Sequence, residues 1–66
     1  MNVHVNGHTR TLTPGTTLGQ LVDGQVPDRR GVAVAVDGEV VPRRDWDATA
    51  LDDGAHIELV GAVQGG

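Results

Sequence analysis

The stretch Gly31-Val32-Ala33-Val34-Ala35-Val36-Asp37-Gly38-Glu39-Val40-Val41-Pro42 decides the fold. Its first half alternates valine with alanine, and a period of two sets Val32, Val34 and Val36 on one face and Ala33 and Ala35 on the other. That pattern predicts a buried strand in the middle of a sheet. Asp37-Gly38 then supplies the two residues that tolerate φ > 0 in a tight hairpin turn, and Glu39-Val40-Val41 returns as a short partner. Pro42 has no N–H to donate and ends the ladder.

Towards the N-terminus, Thr17-Leu18-Gly19-Gln20 forms a capping box, with the threonine hydroxyl on one orphan amide and the glutamine reaching back. Leu18, Leu21 and Val22 follow at i, i+3 and i+4, the apolar face of a helix of about two turns that Gly24 can end in the left-handed conformation. So short a helix needs a sheet beneath it. Before it, Val3 and Val5 alternate with Asn2, His4 and Asn6, and Asn6-Gly7 is a second hairpin signal with Thr9 to Leu12 as the return strand. One pairing across that turn sets Val5 opposite His8, Val3 opposite Arg10 and Met1 opposite Leu12, with the Arg10 guanidinium in water at the sheet rim; a different register is equally open. Thr13-Pro14-Gly15 is a loop.

Towards the C-terminus, Arg43 to Ala50 is irregular or a single turn. It carries Trp46, the sole aromatic residue, which reads as a lid on a small core. Leu51 plugs that core before the Asp52-Asp53-Gly54 turn. His56 to Val63 reads as the last strand, with Ile57 and Leu59 inward and His56 and Glu58 outward. The order strand, strand, helix, strand, strand, strand gives an α+β fold, one short helix on a mixed sheet of four to five strands. The right-handed crossover rule brings the last strand beside the first, in the middle of the sheet. This is the β-grasp, or ubiquitin-like, arrangement.

Sixty-six residues make one domain, expected to span 1–63 with a tail over 64–66. Such a chain buries only about 60% of its unfolded surface, so its stability is a few kcal/mol and a deep catalytic cleft is hard to build. With no cysteine there is no disulfide, no thiolate metal site and no thiol nucleophile. Nine acidic residues face five arginines and no lysine, and the net charge of −4 opposes nucleic acid as a partner. No apolar run reaches the roughly 18–20 residues of a membrane span, and Met1 to Val5 lacks the pattern of a signal peptide, so a cytoplasmic setting is expected. His4 and His8 fall on opposite sheet faces and read as exposed strand residues, with no metal site. The aspartates at 45, 47, 52 and 53 lack the glycine and glutamate spacing of a calcium loop.

The chain stops on Gln64-Gly65-Gly66. Neither glycine has a Cβ, so both can lie flat in a narrow channel, and the terminal carboxylate becomes a handle that another enzyme can grip. From Gly61 the last residues span about 20 Å when extended.

Taken whole, the chain resembles the ThiS family, the sulfur carriers of thiamine biosynthesis. The match is carried by Val3-His4-Val5-Asn6-Gly7, by Val34 to Arg43, by Trp46 three residues beyond that arginine, and by Ile57 to Gly66. The resemblance implies a co-substrate with no catalytic group of its own. An adenylating, ubiquitin-activating-like enzyme would use ATP to convert the Gly66 carboxylate to an acyl-adenylate. Sulfur from a donor such as a cysteine desulfurase, passed on by way of a persulfide, would then give a thiocarboxylate that serves thiazole synthase. Gln64, Gly65 and Gly66 would thread the partner's active site, and no cofactor is bound by the carrier itself. Arg43, with Ala35 and Val60 on the outer sheet face, are candidate docking residues. Two other readings stand beside this one. The molybdopterin sulfur carrier shares the tail, but has an aromatic-proline stretch where Leu59-Val60-Gly61-Ala62-Val63 stands here. A β-grasp interaction module or protein modifier is the other.

Overall fold

The computed structural model describes residues 1–61, so the expectations for Val63 and for the tail at 64–66 lie outside the described residues. The elements are β1 (Asn2–Val5), β2 (His8–Thr11), α1 (Leu18–Gln25), β3 (Val32–Val36), β4 (Glu39–Val40), a 3-10 helix (Arg43–Ala48) and β5 (His56–Gly61). The five strands form one sheet in the order β2-β1-β5-β3-β4. β5 is central. It runs parallel to β1, with His4 beside His56, and antiparallel to β3, with Val34 beside Leu59.

Both turns form as the sequence demands. Asn6 and Asp37 each adopt φ of 51°, followed by Gly7 and Gly38 at 84° and 85°. The β1–β2 register sets Val5 against His8 and Val3 against Arg10, while Met1 and Leu12 exchange hydrogen bonds beyond the strands. Asn6 and Asp37 have a second use. The Asn6 side chain accepts from the Leu59 N–H at 2.9 Å and donates to the Leu59 carbonyl at 3.3 Å, and an Asp37 carboxylate oxygen accepts from the His56 N–H at 2.9 Å. Each short polar side chain extends the ladder of β5 beyond the end of a neighbouring strand.

The capping box is complete: Thr17 Oγ1 accepts from the Gln20 N–H, and Gln20 Oε1 accepts from the Thr17 N–H. Gly24, however, does not end the helix. It lies within the last turn without positive φ, and the stop comes at Val26, whose extended backbone is what the following Pro27 imposes. Leu18, Leu21 and Val22 are buried against Val3, Val5, Val34, Leu51, Ala55 and Ile57, with Trp46 1% exposed at the end of the core. Burying each such aliphatic side chain contributes about 1.5–3 kcal/mol, which holds a two-turn helix that could not persist alone. β3 is less buried than its sequence suggests. Val34 is enclosed, but Val32 and Val36, at the two ends of the strand on the same face, are half-buried, and Ala33 is exposed on the face that α1 does not cover.

Trp46 does more than close the core. Its indole N–H donates to the Val41 carbonyl at 2.8 Å, and the Arg29 guanidinium stands 5.7 Å from its ring centroid. Arg29 also bonds Asp23 on α1 and Asp47 on the 3-10 helix, each at 2.8 Å, so one cation ties helix, loop and aromatic together. Gly19 faces this clamp. A Cβ there would collide with the Asp47 carboxylate and crowd the Arg29 guanidinium, whereas a Cβ at Gly24 would meet nothing within 4 Å. Gly24→Ala should therefore gain about 0.5–1 kcal/mol, and Gly19→Ala, which has to swing the exposed Asp47 carboxylate off Arg29, should fall below it by about 1 kcal/mol. Urea unfolding of the pair, followed by Trp46 fluorescence, checks both signs.

The hydrogen bonds from Arg29 hold the Asp23 and Asp47 carboxyls below the ordinary value of 3.8. Because the folded values are depressed, their contribution is present above that ordinary value and is lost as the pH falls through the folded values. Arg29→Gln should therefore flatten the acid side of a plot of Tm against pH and leave its neutral side close to parallel with the parent. Thermal melts between pH 2 and 7 read this out.

Candidate functional site

β5 positions the C-terminal segment. Asn6 and Asp37 hold it on either side, and its last described pair is Gly61 with Val32 of β3. Beyond Leu59 only β3 accompanies the strand, so Val60 and Gly61 stay in the sheet with one neighbour. Gln64, Gly65 and Gly66 lie outside the described residues.

The sheet face opposite α1 is the surface beside those two residues. The register sets Ala33 beside Val60, Ala35 beside Glu58 and Ala35 beside Val40. Val40 and Val60 are 71% and 64% exposed, the two large apolar side chains among the described residues left most open to water. Two of the sequence-predicted docking residues, Ala35 and Val60, thus share one face, and the exposed Val40, which the sequence reading passed over, joins them. Alternation along Glu39-Val40-Val41 could have found it, since only one of two adjacent valines can face the core.

Arg43 stands apart. It opens the 3-10 helix, is exposed, and is close enough to Asp28 for its charge to help lower that carboxyl. The larger influence on Asp28 is Arg30, whose side chain and backbone N–H both donate to it, the side chain at 2.8 Å.

Between the two turns the outer face dips into a shallow concavity floored by His4, His56 and Glu58. The imidazoles of His4 and His56 stack at 4.6 Å with 19° between planes, and His4 Nδ1 lies 3.3 Å from Thr9 Oγ1. Sequence could not show this pair, since its members are 52 positions apart and meet only through the parallel β1–β5 ladder. His8 sits on the other face, as the hairpin register requires. Among the described residues no three histidine or carboxylate side chains gather where they could hold a metal ion. Nor is any helix of the described residues long and apolar enough to cross a membrane. The candidate site is the exposed apolar sheet face beside the end of β5.

A five-stranded mixed sheet on one helix, with the last strand central, defines a β-grasp protein of the ubiquitin-like kind. The sequence profile of the ThiS family matches residues 3–66. The chain therefore belongs to the ThiS family, the sulfur carriers of thiamine biosynthesis. It is 27% identical to the sulfur carrier protein ThiS of Escherichia coli over the full length of both chains. It is also 32% identical to a thiazole synthase of Paramagnetospirillum magneticum, of which the 66 residues span only 20%. The crystal structure of the thiamine biosynthesis protein ThiS from Geobacter metallireducens superposes with a TM-score of 0.83 at 32% identity, covering both chains completely. The solution structure of a thiamine biosynthesis protein from the same organism gives 0.81 at 32% identity, covering this chain fully and 88% of that one.

Proposed function

We propose that the chain carries sulfur on the carboxyl group of Gly66 for assembly of the thiazole of thiamine. The observation that carries this reading is the reach of the family match, which runs to residue 66 and so takes in Gly65 and Gly66 themselves. A carboxylate is a poor electrophile because oxide is a very poor leaving group. An adenylating enzyme would join it to the α-phosphate of ATP, release pyrophosphate, and leave an acyl-adenylate from which AMP departs readily. A sulfur nucleophile, supplied from a cysteine desulfurase as a persulfide, would replace AMP, and cleavage of the S–S bond by a thiol would leave the thiocarboxylate. The carrier acts throughout as a co-substrate in the cytoplasm, with residues 1–63 as the body and 64–66 as the tail that threads each partner. Thiazole synthase is the acceptor. Support comes from the Paramagnetospirillum protein of that name, one-fifth of which is similar to the whole of this chain.

The test is an intact mass. After incubation with adenylating enzyme, ATP and a sulfur donor, one oxygen-to-sulfur exchange should map to the Gly66 peptide. An unchanged mass would overturn the reading. Docking of the adenylating enzyme is assigned to the face bearing Ala35 and Val60, with Arg43 on the 3-10 helix as a separate candidate contact. Ala35→Glu puts a second carboxylate beside Glu58. It should weaken binding of that enzyme by about tenfold or more, since like charges at directly opposed strand positions repel and a charge at the apolar centre is desolvated. Titration calorimetry against the parent checks it.

A further inference from the structure

All five basic side chains are arginine, at positions 10, 29, 30, 43 and 44, and with five Lys plus Arg in total the chain holds no lysine; it also has no cysteine and no tyrosine. This composition acquires a chemical meaning once the Gly66 carboxyl is activated, and the inference rests on that sulfur-carrier reading. An acyl-adenylate reacts with any unprotonated primary amine: a C–N bond forms, the bond from acyl carbon to phosphate oxygen breaks, AMP leaves, and the amine proton goes to solvent. Lysine is the usual acceptor. Arginine supplies the same positive charge, but its guanidinium remains protonated and offers no lone pair for attack.

One primary amine remains, at Met1. It donates as an ammonium to the Leu12 carbonyl at 2.9 Å, on a half-buried residue. It also stands at the wrong pole. β1 and β5 are parallel with His4 beside His56, so Met1 lies three residues upstream of that pair and Gly61 five downstream. Eight residues of strand separate them by roughly 26 Å. The five residues after Gly61 extend at most about 18 Å, and would first have to reverse direction.

We propose that the carrier is thereby made inert towards its own activated end. The Gly66 acyl group finds no acceptor within reach on its own chain and no lysine on a second copy, whose one primary amine is the Met1 ammonium held on the Leu12 carbonyl, so it is kept for an external sulfur nucleophile. The same property means that copies cannot be joined to one another through side chains, and any target amine that did capture the acyl group would carry a single copy.

A defined electrophile tests this without an adenylating enzyme. Cleavage of a carrier–intein fusion by a small thiol leaves a thioester on Gly66 of the full chain, in place of the adenylate. Held concentrated near pH 8, the native thioester should give the free acid alone, with no amide-linked circle or dimer by intact mass. Arg30→Lys places an amine on a side chain that is 84% exposed, two residues before the Val32 that pairs with Gly61. Lying within reach of the tail at millimolar effective concentration, that amine should yield a monomeric lariat, lighter by the departed thiol, at least roughly tenfold faster than any amide forms in the parent. Amide products from the native chain at the variant's rate would overturn the proposal. So would a folded variant, checked by circular dichroism, that only hydrolyses. A chain that gives the expected products but is not adenylated would count against the carrier function alone.

Discussion

Replacing Gly66 by alanine slows adenylation by about a hundredfold or more, while the thermal transition of the domain stays where it was. The first half of that expected result follows from where the reacting atom sits. In the proposed function a carboxylate oxygen of residue 66 attacks the α-phosphate of ATP in line with the departing pyrophosphate, inside a partner channel that a side-chain-less tail would fit. A methyl group on the adjacent carbon widens the tail and removes the dihedrals that only glycine reaches freely, and a displacement of about 1 Å at a reacting centre costs on the order of a hundredfold. The second half follows from the core, whose buried side chains run from Val3 to Ile57. Pyrophosphate exchange with an adenylating enzyme gives the rate, and a melt followed by circular dichroism gives the stability. Equal exchange rates for mutant and parent would remove Gly66 from the chemistry.

Trp46→Ala unfolds the domain. Truncating a buried tryptophan costs about 3–5 kcal/mol, and a chain of this length has only a few kcal/mol in total. Trp46 is 1% exposed and is the largest of the fully buried side chains. Its loss also orphans the Val41 carbonyl and strips the ring from beneath Arg29. Trp46→Phe separates these contributions. It keeps most of the apolar volume, forfeits the indole hydrogen bond, and should remain folded with a loss of about 1–2 kcal/mol. Far-ultraviolet circular dichroism at 25 °C distinguishes the pair, and a cooperative urea transition in Trp46→Ala close to that of the parent would show that the core does not depend on the indole.

Where a local rule governs the backbone, the sequence was a good guide. Asn6-Gly7 and Asp37-Gly38 placed both hairpins, and Thr17 with Gln20 placed the helix start, because each depends on residues within a few positions; of the registers left open for β1–β2, the structure has Val5 beside His8. The end of α1 was read from the wrong residue: Gly24 permits a left-handed stop, but Pro27 forces an extended one at Val26. The valines of β3 predict burial along one whole face, yet only Val34 in the middle is enclosed, because Val32 and Val36 stand at the strand ends where less packs over them. The site was legible in part. Ala35 and Val60 were assigned to the outer face from alternation alone, and the register bears out that placement. The His4–His56 stack, the clamp of Arg29 on Asp23 and Asp47, and the crowding of that clamp against Gly19 all arise between segments distant in the chain, and no local pattern signals them.

The sheet order has a further consequence, for synthesis on the ribosome. The strand at its centre is the last to be made. Until β5 emerges, the β1–β2 hairpin and the β3–β4 hairpin have nothing to join them, and Asn6 and Asp37 lack the strand whose ladder they extend. A nascent chain cut short before Ile57 would leave two unpaired hairpins and an open core, a substrate for proteases rather than a carrier. Folding thus serves as a length check, since a copy that has closed its sheet has been translated through the strand that leads to the Gly-Gly end.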